Sequence, residues 1–494
     1  MLFEKLIAPL GLGWAPTIAL AIIASVLLAV AQAVYYTRLS PLRNIPGPWF
    51  PASSSLWIRW QRWHGKLSFT ADELLTRYGP IVRISPNMVL LNDIPSLQSV
   101  FSRLDLDTAP RAVRALRIGG HEWTVTYPQN SVARERRRPV MVATTSKAMR
   151  YWHPIFEDNT IKMADGLDKT QGRESEDIVH HLRIATLRNS QVVMAGSHAK
   201  ITEDAFPETV GEYNFLVVWR LCLPEWVFKW LKHGPFAHAK ERIRSSGKLF
   251  RLGHEICAQA QLADPSDPDD VPSVYKLLME KKEKGVSWSD SEISAEMAGQ
   301  VLAATETTSS ALAFIFYELA KNQSLLDNVY QEIVGVSNDS LDDAKLLNAC
   351  ITEGLRYRPP VAFTGSRVVP KGGLDVLGYY LPESTVVTTQ SLSLSRQRPD
   401  LFPNYDVFDP TRWVHEGSSL ELRRHSAPFG VGSRRCPGGN MAVYQMRLIL
   451  AVVIRRFKIE VAPETTPESM TPFEANGFRS RYDNCHLIFK AREV

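Results

Sequence analysis

Apolar positions along the chain follow three patterns. Residues 14–36 are uncharged and almost continuously apolar (Ile18, Leu20, Ile22, Ile23, Val26, Leu27, Leu28, Val30, Val34), matching the roughly 20 residues that cross a bilayer as a helix. The run is long for a cleaved signal, and the small residues that would mark cleavage lie inside it. It predicts one membrane anchor. Arg38 and Arg43 follow the run, whereas Glu4 and Lys5 before it cancel, so the chain beyond faces the cytosol and residues 1–13 form a lumenal segment. Prolines 41, 46, 48 and 51 fix φ and resist helix continuation, which makes 37–51 a stiff hinge before one large domain over 52–494.

The second pattern is helical. Apolar residues recur with a turn's spacing over 289–321, 341–357 and 441–454. The third is short strands: 81–92 holds two strand-like runs around the turn signal Ser85-Pro86-Asn87 and reads as a hairpin, and 372–387 is punctuated by Gly372, Gly373 and Gly378. The expected fold is mainly α with small β-sheets, preceded by one N-terminal transmembrane helix.

Composition narrows this picture. The 494 residues, 45% hydrophobic, contain no repeat or low-complexity linker beyond the hinge, so one large core is expected. A net charge of +5 with dispersed basic residues gives no support to nucleic-acid binding. Five scattered cysteines are poor material for a disulfide framework and suit a reducing compartment.

One cysteine stands in a pattern. Residues 429–438 fit F-x-x-G-x-R-x-C-x-G at Phe429, Gly432, Arg434, Cys436 and Gly438. Glycines let the backbone turn tightly beneath a flat group, and a helix starting after Cys436 directs its positive end at the sulfur. A lone cysteine is ordinarily a small buried hydrophobe; five fixed positions in ten reverse that reading. No Cys-x-x-Cys partner points to zinc.

This decapeptide resembles the haem-ligand loop of the cytochrome P450 family. The resemblance implies the P450 fold and haem b with Cys436 as axial thiolate, with Phe429, Arg434 and Gly438 at the cofactor. Ala303-Ala304-Thr305-Glu306-Thr307-Thr308 resembles the family's oxygen-activation motif, with Glu306 as the acid and Thr307 as the hydroxyl of a proton relay; the family more often has glycine where Ala304 stands. Glu353-Gly-Leu-Arg356 fits E-x-x-R, whose spacing puts both side chains on one helical face, and Arg412 in Pro410-Thr-Arg-Trp413 matches the third member of that structural set. Arg367 corresponds to a strand arginine for the haem propionates. Arg136, in the run 134–138, is the candidate third cation, although Val132 replaces the usual tryptophan or histidine partner. Ser395 stands where relatives often have histidine.

The whole-chain resemblance implies a monooxygenase that uses dioxygen and NADPH electrons. No dinucleotide fingerprint is present, so a separate NADPH-cytochrome P450 reductase is the expected partner, with cytochrome b5 as an optional second donor and Arg435 and Arg447 on the docking face. Endoplasmic reticulum membrane is the expected location, and a lipophilic small molecule the expected substrate. The segments Arg367–Gly373 and Gly378–Pro382 look most like fungal members of secondary metabolism. Substrate contacts are expected from 105–127, Gly299, Ala303, 361–364 and the stretch near Phe478. The aromatic stretch 216–236 suits either a membrane interface or the core. A desaturase or coupling enzyme, an isomerase, and a non-catalytic haem-binding protein are the alternatives.

Overall fold

A computed structural model describes residues 14–197, 206–262, 272–285, 287–414 and 420–492; the lumenal segment expected at 1–13 lies outside them. The helices that position the site are α1 (Trp14–Val34), α2 (Leu56–Trp63), α3 (Asn130–Ala143), α4 (Ser146–Leu167), α5 (Ile178–Ala195), α6 (Phe206–Cys222), α7 (Glu225–His233), α8 (Ala237–Gln261), α9 (Asp290–Lys321), α10 (Lys345–Tyr357) and α11 (Gly439–Arg456). Strands run in chain order as β1 (Ile81–Ser85), β2 (Met88–Leu91), β3 (Glu176–Asp177), β4 (Phe363–Val368), β5 (Leu374–Val376), β6 (Tyr379–Leu381), β7 (Val386–Gln390), β8 (Phe457–Val461), β9 (Pro472–Ala475), β10 (Gly477–Ser480) and β11 (His486–Ala491).

α9 is the axle of the molecule. Its 32 residues start at a capping box in which Ser289 and Glu292 satisfy each other's backbone amides. Two apolar cores meet along it. One gathers Ile315 and Phe316 of α9 with Leu182, Leu355, Leu450 and Phe457. The other joins Met297 and Val301 with Trp152, Phe156, Tyr213 and Leu249. A helix buried on both sides cannot show a clean amphipathic stripe, which explains its weak periodicity.

The largest sheet has the order β1-β2-β7-β4. β1 and β2 form the expected hairpin, with Ile81 opposite Leu91. β2 runs parallel to β7. β4 pairs antiparallel with β7, and the register shifts between Thr364 and Arg367, so a bulge re-aims Arg367.

Among the described residues, one helical stretch, Pro16–Leu39, is long and apolar enough to cross a membrane, and none of its most apolar window is buried. α1 continues into a π turn at Tyr35–Leu39 and a 3-10 turn at Pro41–Asn44. This exit is fastened to the sheet by Arg83 of β1, which is 2% exposed. Its guanidinium donates to the carbonyls of Tyr36 and Pro86, both at 2.7 Å, and to Ser40 Oγ at 3.3 Å. Its backbone amide donates to Pro46 O at 2.8 Å. The proline-rich segment is therefore bound along β1.

Candidate active site around Cys436

The Cys436 loop is built by two glycines in the left-handed region, Gly430 at φ 73° and Gly432 at φ 77°. A side chain at Gly432 would have its Cβ 1.8 Å from Phe101 O, so this position accepts only glycine. The Cys436 amide donates to Phe429 O at 2.8 Å, closing the turn. Gly438 then caps the start of α11. Cys436 alone among the five cysteines is exposed, yet protein atoms surround it closely enough for burial to push its thiol pKa up. The Gly438 amide and the Arg137 guanidinium pull it down. Burial prevails and the thiol is raised overall, so an anionic sulfur here needs a cation or metal bound to it to complete its stabilisation.

Three guanidiniums crowd beside this loop. Arg434 donates to Asn130 Oδ1 at 2.5 Å and to the carbonyls of Tyr127 and Pro128 at 2.7 and 3.0 Å. Arg367 is buried over the ring of Phe101, 4.8 Å from its centroid, and its Nε has no partner. Arg137 donates to the carbonyls of Ser433 and Arg435 inside the loop. Burial pushes Arg434 down to about 10, with Arg367 and Arg137 adding to the shift. Arg367 is likewise lowered to about 10 by burial. A group of unneutralised, partly desolvated cations with an orphaned donor is a binding site for carboxylates, so these residues fit a carboxylate-bearing planar cofactor such as haem.

Arg136, the arginine singled out in the sequence, lies elsewhere. It is sandwiched between Tyr127 and Trp288, 4.2 and 4.1 Å from their centroids, pairs with Glu292 at 3.3 Å and donates to Ser287 O. Its neighbour Arg137 makes the loop contacts. Asn130, which orients Arg434 while bonding the carbonyls of Asp105 and Leu106, also escaped the sequence reading.

α9 forms the other candidate wall. Thr307 Oγ1 donates to Ala303 O at 2.8 Å. Glu306 is held by Arg183 of α5 (2.7 and 3.2 Å) and by Asn214 of α6 (3.2 Å). Arg183 also pairs with Asp483 at 2.8 Å; burial opposes its charge, but the two carboxylates raise its pKa. Thr305 is fully buried with an unpartnered hydroxyl. One turn before Ala303, a Cβ on Gly299 would meet the Trp123 ring at 2.4 Å, so Trp123 lies flat on the helix there. Two turns before it, Glu296 is fully buried and accepts from the Thr124 amide at 2.6 Å and Gln300 Nε2 at 2.7 Å. Of the other expected contacts, Val361 is partly exposed, the Thr364 side chain lies outside the described residues, and Phe478 is buried in a stack with Phe69 at 5.6 Å.

Behind the loop, the structure brings Glu353, Arg356 and Arg412 together. Glu353 is fully buried and takes both Arg356 donors at 2.7 Å, Arg412 Nε at 3.2 Å, Trp413 Nε1 at 2.9 Å and the Asp409 amide at 2.9 Å. Arg356 and Arg412 pass their remaining donors to carbonyls at 403–407. Ser395, in the place of a histidine, lies 3.4 Å from Arg356. Arg435 is exposed, and Arg447 is tied to Asn348 and Asp342.

Comparison with known proteins agrees with this geometry. The family model for cytochrome P450 matches residues 46–484. The chain is 27% identical to the cytochrome P450 monooxygenase orf2 of Aspergillus niger, covering 87% of this chain and 89% of that protein. It is also 27% identical to the monooxygenase aflV of Aspergillus parasiticus (92% and 91% covered) and to poxC of Penicillium oxalicum (95% and 94%). The structure of retinoic acid-bound cyanobacterial CYP120A1 shares the fold, with a TM-score of 0.70 at 20% identity over 85% of this chain and 93% of that one. A match that runs from the hinge through the cysteine loop to the last strands, over a site of this make-up, places the chain in the cytochrome P450 family, as a haem-thiolate monooxygenase.

Proposed function

We propose that this is a membrane-anchored monooxygenase of the endoplasmic reticulum, with its catalytic domain in the cytosol. It oxidises a lipophilic small molecule of fungal secondary metabolism with dioxygen and with NADPH electrons relayed by a separate reductase, cytochrome b5 being an optional donor. The carrying observation is the Cys436 loop under its arginine cluster. The exposed apolar α1 supports the anchor, and the fungal relatives support the setting. Trp226 and Trp230 of α7 are 70% and 57% exposed, as expected of rings at a membrane interface, whereas Trp219 is stacked on Trp63 at 6.2 Å.

In this reading Cys436 would hold the haem iron through its sulfur, with Phe429 and Gly438 beside it, and Arg434, Arg367 and Arg137 would hold the propionates. Bound there, haem supplies the iron at which dioxygen is reduced and one oxygen is transferred. The chain's own residues do the rest. Glu306 draws protons toward the site, with Arg183 and Asn214 fixing its carboxylate, and Thr307, tethered to Ala303 O, presents a hydroxyl one residue further on. Trp123 and the adjoining apolar walls exclude water and orient an apolar substrate. Glu353 with its two arginines keeps the segment before the loop in place. The test is mass spectrometry of a fungal host expressing the chain with a reductase, against the same host carrying Cys436→Ala. A product gaining one oxygen only with the native chain is expected. Loss of two hydrogens would instead show desaturation or coupling, and turnover that persists without the reductase would sink the electron-relay reading.

A further inference from the structure

A partly open cavity of about 290 Å³ adjoins the cysteine loop, lined by the apolar Ile94, Phe429 and Val431 and by the polar Arg423, Arg424 and Ser426. This is at the small end of ligand-sized cavities. Its two halves differ in chemistry. Ile94 and Val431 are partly buried at the edge of one apolar core, and Phe429 packs on another. Arg423 and Arg424 are exposed; the structure gives neither side chain a hydrogen bond or ion pair among the described residues, and the nearest acid in sequence, Glu421, is taken by Arg398 at 3.2 Å. Ser426 adds a buried hydroxyl without a partner. An unpaired buried hydroxyl costs free energy until something bonds it, and two adjacent free guanidiniums favour a carboxylate over any neutral group.

We propose that this cavity binds a small amphipathic carboxylate, its apolar body against Ile94, Phe429 and Val431 and its charged end on Arg423, Arg424 and Ser426. A compact aryl or short alkyl carboxylate has the right make-up. A bare inorganic anion would leave the apolar wall uncovered, and a neutral amphiphile would leave the cations unpaired. None of the residues lining it belongs to α9. The inference goes beyond the monooxygenase reading and does not depend on it.

Isothermal titration of the haem-loaded full chain in zwitterionic nanodiscs with 4-phenylbutyrate tests it, with a tight azole occupying the substrate side in every arm and empty discs as blank. Saturable one-site binding is expected. Binding should weaken at least tenfold for 4-phenylbutyramide and at least tenfold for Arg423→Gln with Arg424→Gln. Ile94→Trp, which fills the apolar half and leaves both charges, should abolish it. Absence of saturable heat in the azole-blocked protein overturns the proposal, as does equal binding by the amide or by the double glutamine variant. Inorganic phosphate binding as tightly as 4-phenylbutyrate would also overturn it, because charge alone would then be recognised.

Discussion

Glu353 and Glu296 are both carboxyls cut off from water, and they are held by opposite means. Two guanidiniums, an indole and a backbone amide surround Glu353. Removing its charge strands two buried cations, so Glu353→Gln should cost about 3–5 kcal/mol, measured by denaturant unfolding of the haem-loaded protein. Glu296 has hydrogen-bond donors but no ion pair of its own. Burial raises its pKa, against the pull of Gln300, Thr124 and Arg136. A carboxyl raised on folding retains its proton longer in the native state, so its contribution is full below the ordinary glutamate range and is lost as pH rises through the folded value. Glu296→Gln should flatten that decline, read as thermal midpoints from acid to neutral pH. Residue-level legibility was uneven for a physical reason. Cys436 could be read because five positions around it are fixed by backbone geometry. Arg136 and Arg137 are neighbours on α3, and which one meets the loop depends on Tyr127 and Trp288 trapping the first. No local pattern in the run announces that.

At the scale of elements, α9 shows what periodicity tells and what it omits. Expected over 289–321, it is observed as Asp290–Lys321, and the expected 441–454 helix extends to Gly439–Arg456. The helix expected from 341 begins at Lys345, because 338–343 winds as a 3-10 turn. Nothing in the α9 sequence indicated that an indole 176 positions upstream presses on it; that contact is set by tertiary packing. Gly299→Ala should therefore cost about 1–3 kcal/mol through overpacking against Trp123. Combining it with Trp123→Ala should recover part of that loss, a coupling that a double-mutant cycle measures. Thr307→Ala removes only a bond to the preceding turn, so stability should change by less than about 1 kcal/mol. The proposed relay predicts a fall in product formed per NADPH consumed in the same variant, measured in the reconstituted system.

For the whole molecule, the sequence left the aromatic stretch 216–236 divided between membrane and core. The structure divides it: Trp219 is half-buried and stacked on Trp63, and Trp226 and Trp230 face out. Composition carries no such information, since it cannot rank rings within one stretch. The hinge is a second case. Its prolines announced stiffness, but the clasp that holds it is a buried arginine on a strand, Ile81–Ser85, that is buried along its whole length. Arg83→Met would free Tyr36 and Ser40 from β1. Spin labels placed on the bilayer surface and on the catalytic domain should report a narrow distance distribution in the native chain and a broad one in this variant. With the clasp closed, α1 in the proposed anchor is a keel and not a mooring line. Under the proposed anchoring, any tilt the lipid imposes on α1 is transmitted as torque to β1 and the sheet behind it, so bilayer thickness would set the attitude of the whole domain and, with it, how deep Trp226 and Trp230 sit in the headgroups.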